Sequence, residues 1–131
     1  MTDLIDSLSD VAARYDAIVL DQWGVLHDGA QPYPGAVAAL TELRAAGTRL
    51  AVLSNSGKRA EPNLKRIVSM GFPGESFEFV MSSGEALWRD VAAGLIPERR
   101  FLAIARGAGD AEAWAEGLDI SLTGELREAQ A

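Results

Sequence analysis

No cysteine occurs among the 131 residues. Disulfides, thiolate metal sites and a cysteine nucleophile are therefore excluded, although this absence assigns no compartment. Histidine appears once, at His27; a lone imidazole beside Asp28 supports no more than a solvated loop. Lysine occurs only at Lys58 and Lys65, and both read as solvated charges on or before a helix. No apolar run reaches membrane-spanning length, and the first ten residues, MTDLIDSLSD, are acidic where a signal or transit peptide would be basic. A cytoplasmic protein with no membrane partner is the simplest expectation. Positive charge is scarce overall, with 12 Lys and Arg against 19 Asp and Glu, a net charge of −7 and a pI near 4.6. Such a surface repels phosphate backbones, which argues against nucleic acid or an anionic membrane as partner. A small phosphorylated substrate would need a metal ion to bring positive charge to it.

What is present is ordinary globular composition, 48% hydrophobic and 24% charged, in a chain long enough to bury one core. The pattern alternates short apolar runs with amphipathic stretches. Residues Thr2–Tyr15 have helical spacing, with Leu4, Ile5, Leu8, Val11 and Ala12 on one side. Ala17–Leu20 reads as a buried strand, Gln22–Pro34 as a loop or small hairpin, and Gly35–Ala46 as a helix. Arg49–Leu53 is a second strand. A helix follows with Pro62 at its first position, and Phe77–Met81 is a third strand. Ser82 and Glu85 form a capping-box pattern for the next helix. Phe101–Ala105, Asp110–Glu116 and Leu118–Leu122 read as strand, helix and strand, and Thr123–Ala131 as a loose tail. The helix-ending glycines Gly47, Gly71, Gly94 and Gly117 are spaced 24, 23 and 23 residues apart, the length of a strand-helix module. The fold class is thus α/β, a layered Rossmann-like arrangement with a mainly parallel sheet and right-handed crossovers.

Two strands end in groups that can carry chemistry. Asp21 lies at the carboxyl end of the first, where open α/β sheets place their ligands. Alone it would read as a turn-capping residue. One module later, however, the second strand ends in Ser54-Asn55, and neighbouring parallel strands lie about 5 Å apart. Asp21 and Ser54-Asn55 are therefore expected to face one small ligand. Trp88 and Trp114 sit in helices and read as packing residues; Trp23 reads equally as packing or as the wall of a substrate entrance.

The stretch DAIVLDQWGVLHDG resembles the first motif of the haloacid dehalogenase superfamily, a hydrophobic strand followed by Asp-x-Asp-Gly-(Thr/Val)-(Leu/Ile); Asp21, Gly24, Val25 and Leu26 match. LAVLSN is similar to the second motif, and PYPGAVAALTELRAAG, LSNSGKR and SSGEAL are similar in order and spacing to subfamily IIA, the NagD-like and p-nitrophenyl phosphatase-like branch. The resemblance spans Asp16 to about Leu87. It implies a Mg²⁺-dependent phosphatase acting on a small phosphorylated metabolite through an aspartyl-phosphate at Asp21. Ser54 and Asn55 would bind the phosphoryl group, and Asp21 with the backbone carbonyl of Trp23 would bind the metal. Trp23 stands where the family has its general acid/base Asp, which implies impaired turnover.

The resemblance also implies that residues 1–98 form the amino-terminal part of a Rossmann-like core, and 99–131 the beginning of an α/β cap. The lysine and acidic motifs that follow the cap in this family are not in the chain, so it reads as a shortened, incomplete version. An unpaired sheet edge would then favour homo-oligomers. Two competing classes are an inactive binding or assembly module of the same fold and, more weakly, a response-regulator-like phosphoacceptor. The latter is poorly supported, because no acidic pair precedes Asp21.

Overall fold

The computed structural model describes residues 4–130. By internal contacts the chain divides into two units. One takes the residues up to Ser54 together with Ala60–Met81; the other takes Asn55–Arg59 and the residues from Ser82 onward.

The first unit is built on a three-stranded sheet in the order β1 (Ala17–Leu20), β2 (Arg49–Ser54), β3 (Phe77–Ser82). β1 and β2 are parallel, with Ile18 opposite Leu50 and Leu20 opposite Val52. Those four side chains point to one face, because side chains alternate along a strand. There they meet Leu40 and Leu43 from helix α2 (Ala36–Ala45) and Ile67 from α3 (Ala60–Ser69). Leu50, Val52 and Ile67 are completely buried, and each such burial stabilises by roughly 1.5–3 kcal/mol. Gly47 ends α2 as the spacing predicts: at φ 88° it turns the chain so that Thr48 N–H reaches back to Leu43 O at 3.0 Å.

Two expectations in this unit need correction. The amino-terminal helix is only α1, Ser9–Ala12, and Leu4 is fully exposed. Ala12 is the only residue of this turn in the core, too little apolar burial to carry a longer helix. The Thr2–Asp3 portion lies outside the described residues. Helix α3 begins at Ala60, so Pro62 takes its third position. Proline is tolerated there because first-turn N–H groups have no intrahelical partner.

The second unit holds α4 (Ser83–Ala92), β4 (Arg100–Leu102), α5 (Asp110–Ala115) and β5 (Ser121–Thr123). β4 and β5 form a separate parallel pair, with Phe101 opposite Leu122. Trp114 packs tilted on Phe101 with ring centroids 6.2 Å apart, and its indole N–H donates to Gly84 O at 2.7 Å. Trp88 donates to Glu116 O at 3.0 Å, so both tryptophans pack as expected. Both strands are shorter than the apolar runs suggest. The described part of the tail has a 3-10 turn at Leu126–Glu128, after which Gln130 N–H donates to Arg100 O at 2.8 Å.

Candidate active site

The β1–β2 register sets the site. Carried one step past Leu20 and Val52, it places Asp21 level with Leu53 and one residue short of Ser54, a Cα separation of about 6 Å from strand spacing and rise. Asp21 is exposed and Ser54 half-buried. The Asp21 carboxylate is oriented by its own chain: Oδ1 accepts from Gln22 N–H at 2.7 Å. Oδ2 has no partner among the described residues. A groove of about 960 Å³ lies near Asp16 and Arg49, at the amino ends of these strands. It therefore plays no part in a site formed at their carboxyl ends.

The loop after Asp21 is folded back on itself. Gln22 O accepts from the N–H groups of Val25, Leu26 and His27, and Gly24 N–H donates to His27 O. The Trp23 carbonyl accepts no hydrogen bond among the described residues, so this oxygen is available to a ligand. The Trp23 indole is 70% exposed, yet its N–H is committed to Asp28 O at 2.8 Å. Arg66 donates to Gly29 O at 2.6 Å, tying the far side of the loop to α3. Asp28 Oδ1 accepts from Gln31 and Ala30 N–H; these two bonds hold its carboxyl below the usual range.

His27 is not the solvated residue its sequence context suggests, being only 2% exposed. Its Nδ1 accepts from Gly29 N–H at 3.0 Å, which puts the proton of the neutral ring on Nε2. Nε2 of His27 and Nε2 of Gln22 are buried without hydrogen-bond partners among the described residues. Burial foremost, then the Arg66 guanidinium, pushes the imidazole pKa down, while the charges of Asp28 and Asp21 oppose the shift. No sequence signal marked Gln22 or His27, since their burial follows from how the loop closes.

Asn55 falls in the second unit, where its Oδ1 accepts from Ser83 Oγ at 2.8 Å. Lys58 pairs with Asp110 at 3.2 Å and Lys65 with Glu61 at 2.6 Å. Among the described residues no group of three His, Cys, Asp or Glu gathers as a metal site. The donors that remain are hard oxygens, the Asp21 carboxylate and the Trp23 carbonyl. These suit Mg²⁺, which usually takes one or two carboxylates and fills its octahedron with water and substrate oxygens.

Parallel strands β1 and β2, with an aspartate and a serine at their adjacent carboxyl ends, belong to an α/β arrangement, and open α/β sheets place their ligands at such ends. The chain belongs to the haloacid dehalogenase-like hydrolase family, whose model matches residues 18–119, as its motifs suggest. A haloacid dehalogenase-like hydrolase from Brucella suis is 33% identical and superposes with a TM-score of 0.79, covering 96% of this chain and 44% of that one. Bovine and human chronophin are each 37% identical over 78 residues, 59% of this chain. The chain spans about a quarter of the chronophins' length, 26%. A glycerol phosphate phosphatase from Mycobacterium tuberculosis, solved in complex with calcium, shares the fold at 22% identity and a TM-score of 0.60, covering 90% of this chain and 34% of its own. No described helix is long and apolar enough to cross a membrane.

Proposed function

We propose that this chain carries the phosphoryl-handling site of a phosphoester hydrolase whose substrate is a small phosphorylated metabolite. The observation supporting this reading is the register that sets Asp21 beside Ser54. An Asp21 carboxylate oxygen attacks phosphorus; the Asp21 O–P bond forms as the ester P–O bond to the leaving group breaks. Water then attacks the same phosphorus, releasing inorganic phosphate and restoring the carboxylate. The Ser54 hydroxyl donates to the phosphoryl oxygens, whose charge calls for preorganised donors. Asn55, its side chain engaged by Ser83, contributes through its backbone N–H. Mg²⁺ held by Asp21 and the Trp23 carbonyl would supply positive charge against those oxygens.

Trp23 shapes the rate. Its indole cannot exchange a proton near neutral pH, and its N–H is already bonded to Asp28 O. Without a general acid/base, turnover is expected roughly 10²- to 10⁴-fold below that of a complete site. A leaving group that needs no proton lessens the handicap in the first step but not in the second. The test is hydrolysis of p-nitrophenyl phosphate with and without Mg²⁺, comparing wild type with Asp21→Asn and following the intact mass for a phosphate adduct. Activity and adduct that require both Mg²⁺ and Asp21 are expected. Hydrolysis that persists in Asp21→Asn would overturn the assignment.

A further inference from the structure

Ser82-Ser83-Gly84-Glu85, where β3 passes into α4, grips the loop that follows Ser54 at consecutive points. Ser82 Oγ caps the helix by accepting from Glu85 N–H at 3.0 Å and donates to Lys58 O at 2.6 Å. Ser83 Oγ donates to Asn55 Oδ1 at 2.8 Å. Gly84 N–H, a first-turn donor with no intrahelical partner, donates to Ser56 O at 2.9 Å. The Glu85 side chain is 5% exposed and accepts from Arg59 Nε at 2.7 Å and Arg89 Nε at 3.0 Å, while the Arg59 guanidinium also lies over the Trp88 ring at 3.7 Å.

Gly84 is the tightest point of this grip. A Cβ there would sit 2.1 Å from Gly57 O and 3.0 Å from Lys58 O, so any side chain must drive the loop and the helix apart. Backbone conformation does not demand the glycine, since its φ is not in the left-handed region; the close approach does. Four contacts and one steric requirement on five loop residues exceed what a helix start needs for its own capping.

We propose that Ser82–Glu85 is a positioning element for the phosphoryl-binding loop, with Gly84 its indispensable residue. This rests on the reading of Ser54 as a phosphoryl ligand. None of the four residues is assigned a contact with substrate; they set the backbone course of residues 55–59 and so the direction of the N–H groups following Ser54. Gly84→Ala should displace that loop by roughly 1 Å, enough to cost on the order of 10²-fold where geometry matters.

The experiment compares wild type, Gly84→Ala, Ser83→Ala and Val91→Ala. Val91 is buried on the same helix beyond Glu85, so its truncation costs stability by a change outside Ser82–Glu85. Two readouts are taken: amide hydrogen exchange over residues 55–59, and affinity for inorganic phosphate with Mg²⁺ by titration calorimetry. Gly84→Ala should speed loop exchange and weaken phosphate binding at least tenfold, with Ser83→Ala changing both in the same direction by less. Val91→Ala should leave both near wild type. If Gly84→Ala does not fold, Ser83→Ala, an exposed position, carries the comparison. Wild type that binds phosphate while the Gly84 and Ser83 variants bind it equally well would overturn the positioning role alone, as would a matching loss in Val91→Ala. Wild type that binds no phosphate would overturn the phosphoryl reading and this role with it.

Discussion

Replacing Trp23 with aspartate puts a proton-exchanging group where the indole now stands, and the cost to stability can be worked from the structure. A tryptophan side chain carries about 250 Å² of surface, and Trp23 is 70% exposed. About 70 Å² is therefore lost from contact, about 2 kcal/mol at about 25 cal/mol per Å². The hydrogen bond to Asp28 O adds about 0.5–1 kcal/mol because it is solvent-exposed. A total near 2–3 kcal/mol leaves a domain of ordinary stability, about 5–15 kcal/mol, still folded. Urea unfolding checks this first. A rapid-mixing assay with p-nitrophenyl phosphate then separates the nitrophenol burst, which reports phosphorylation, from the steady rate, which reports phosphoenzyme hydrolysis. Trp23→Asp should raise the hydrolysis step by roughly 10²- to 10⁴-fold. Trp23→Asn, which loses the same contacts but carries no exchangeable carboxyl proton, should stay near wild type. A folded Trp23→Asp no faster than Trp23→Asn would refute the argument that the missing acid/base limits this site.

His27 makes stability depend on pH. Its folded pKa lies below the ordinary 6.5, so the unfolded chain binds a proton the folded chain does not. Its contribution is complete above pH 6.5 and is lost as pH falls toward and through the folded value. Urea midpoints at about pH 7.5 and 5.5 should drop further for wild type than for His27→Gln; equal drops would refute this. Glu85→Ala removes a buried carboxylate from two guanidinium groups and should cost about 2–3 kcal/mol, below the full buried-pair value because the Arg59 and Arg89 side chains keep 24% and 59% exposure. A chemical-denaturation change under about 1 kcal/mol would show the pairing to be weak. The sheet of β1–β3 leaves Val19, Leu53 and Phe79 each more than half exposed, and among the described residues β1 pairs only with β2. Light scattering should detect self-association that Leu53→Lys weakens, whereas a monomeric mass at high concentration would count against it.

The strand-helix order was legible because its signals are local. Short runs such as AIVL and RLAVLS are strands whose apolar faces can be read by parity, and Gly47, Gly71, Gly94 and Gly117 all adopt positive φ one module apart. That Asp21 and Ser54 follow one another at the carboxyl ends of adjacent strands was legible for the same reason, since β1 and β2 are parallel and in direct register. Helix length at the amino terminus was not. Periodicity records that Leu4, Ile5 and Leu8 could form a stripe, but only packing decides whether a stripe has anything to cover, and all three are exposed.

The sequence by itself determined the module order, the parallel pairing and the two side chains at its strand ends, because these depend on period, turn chemistry and neighbouring positions. Only the tertiary structure decided that a loop histidine is buried, that Glu85 pairs with Arg59, and that Gly84 must lack a side chain. Each depends on contacts that form only in the folded chain: His27 lies in a loop closed on Gln22 O and tied to Arg66 through Gly29 O, Glu85 pairs with a guanidinium 26 residues earlier, and Gly84 lies against the carbonyl of Gly57. A one-dimensional pattern carries no record of such approaches, since they exist only once the chain has closed on itself.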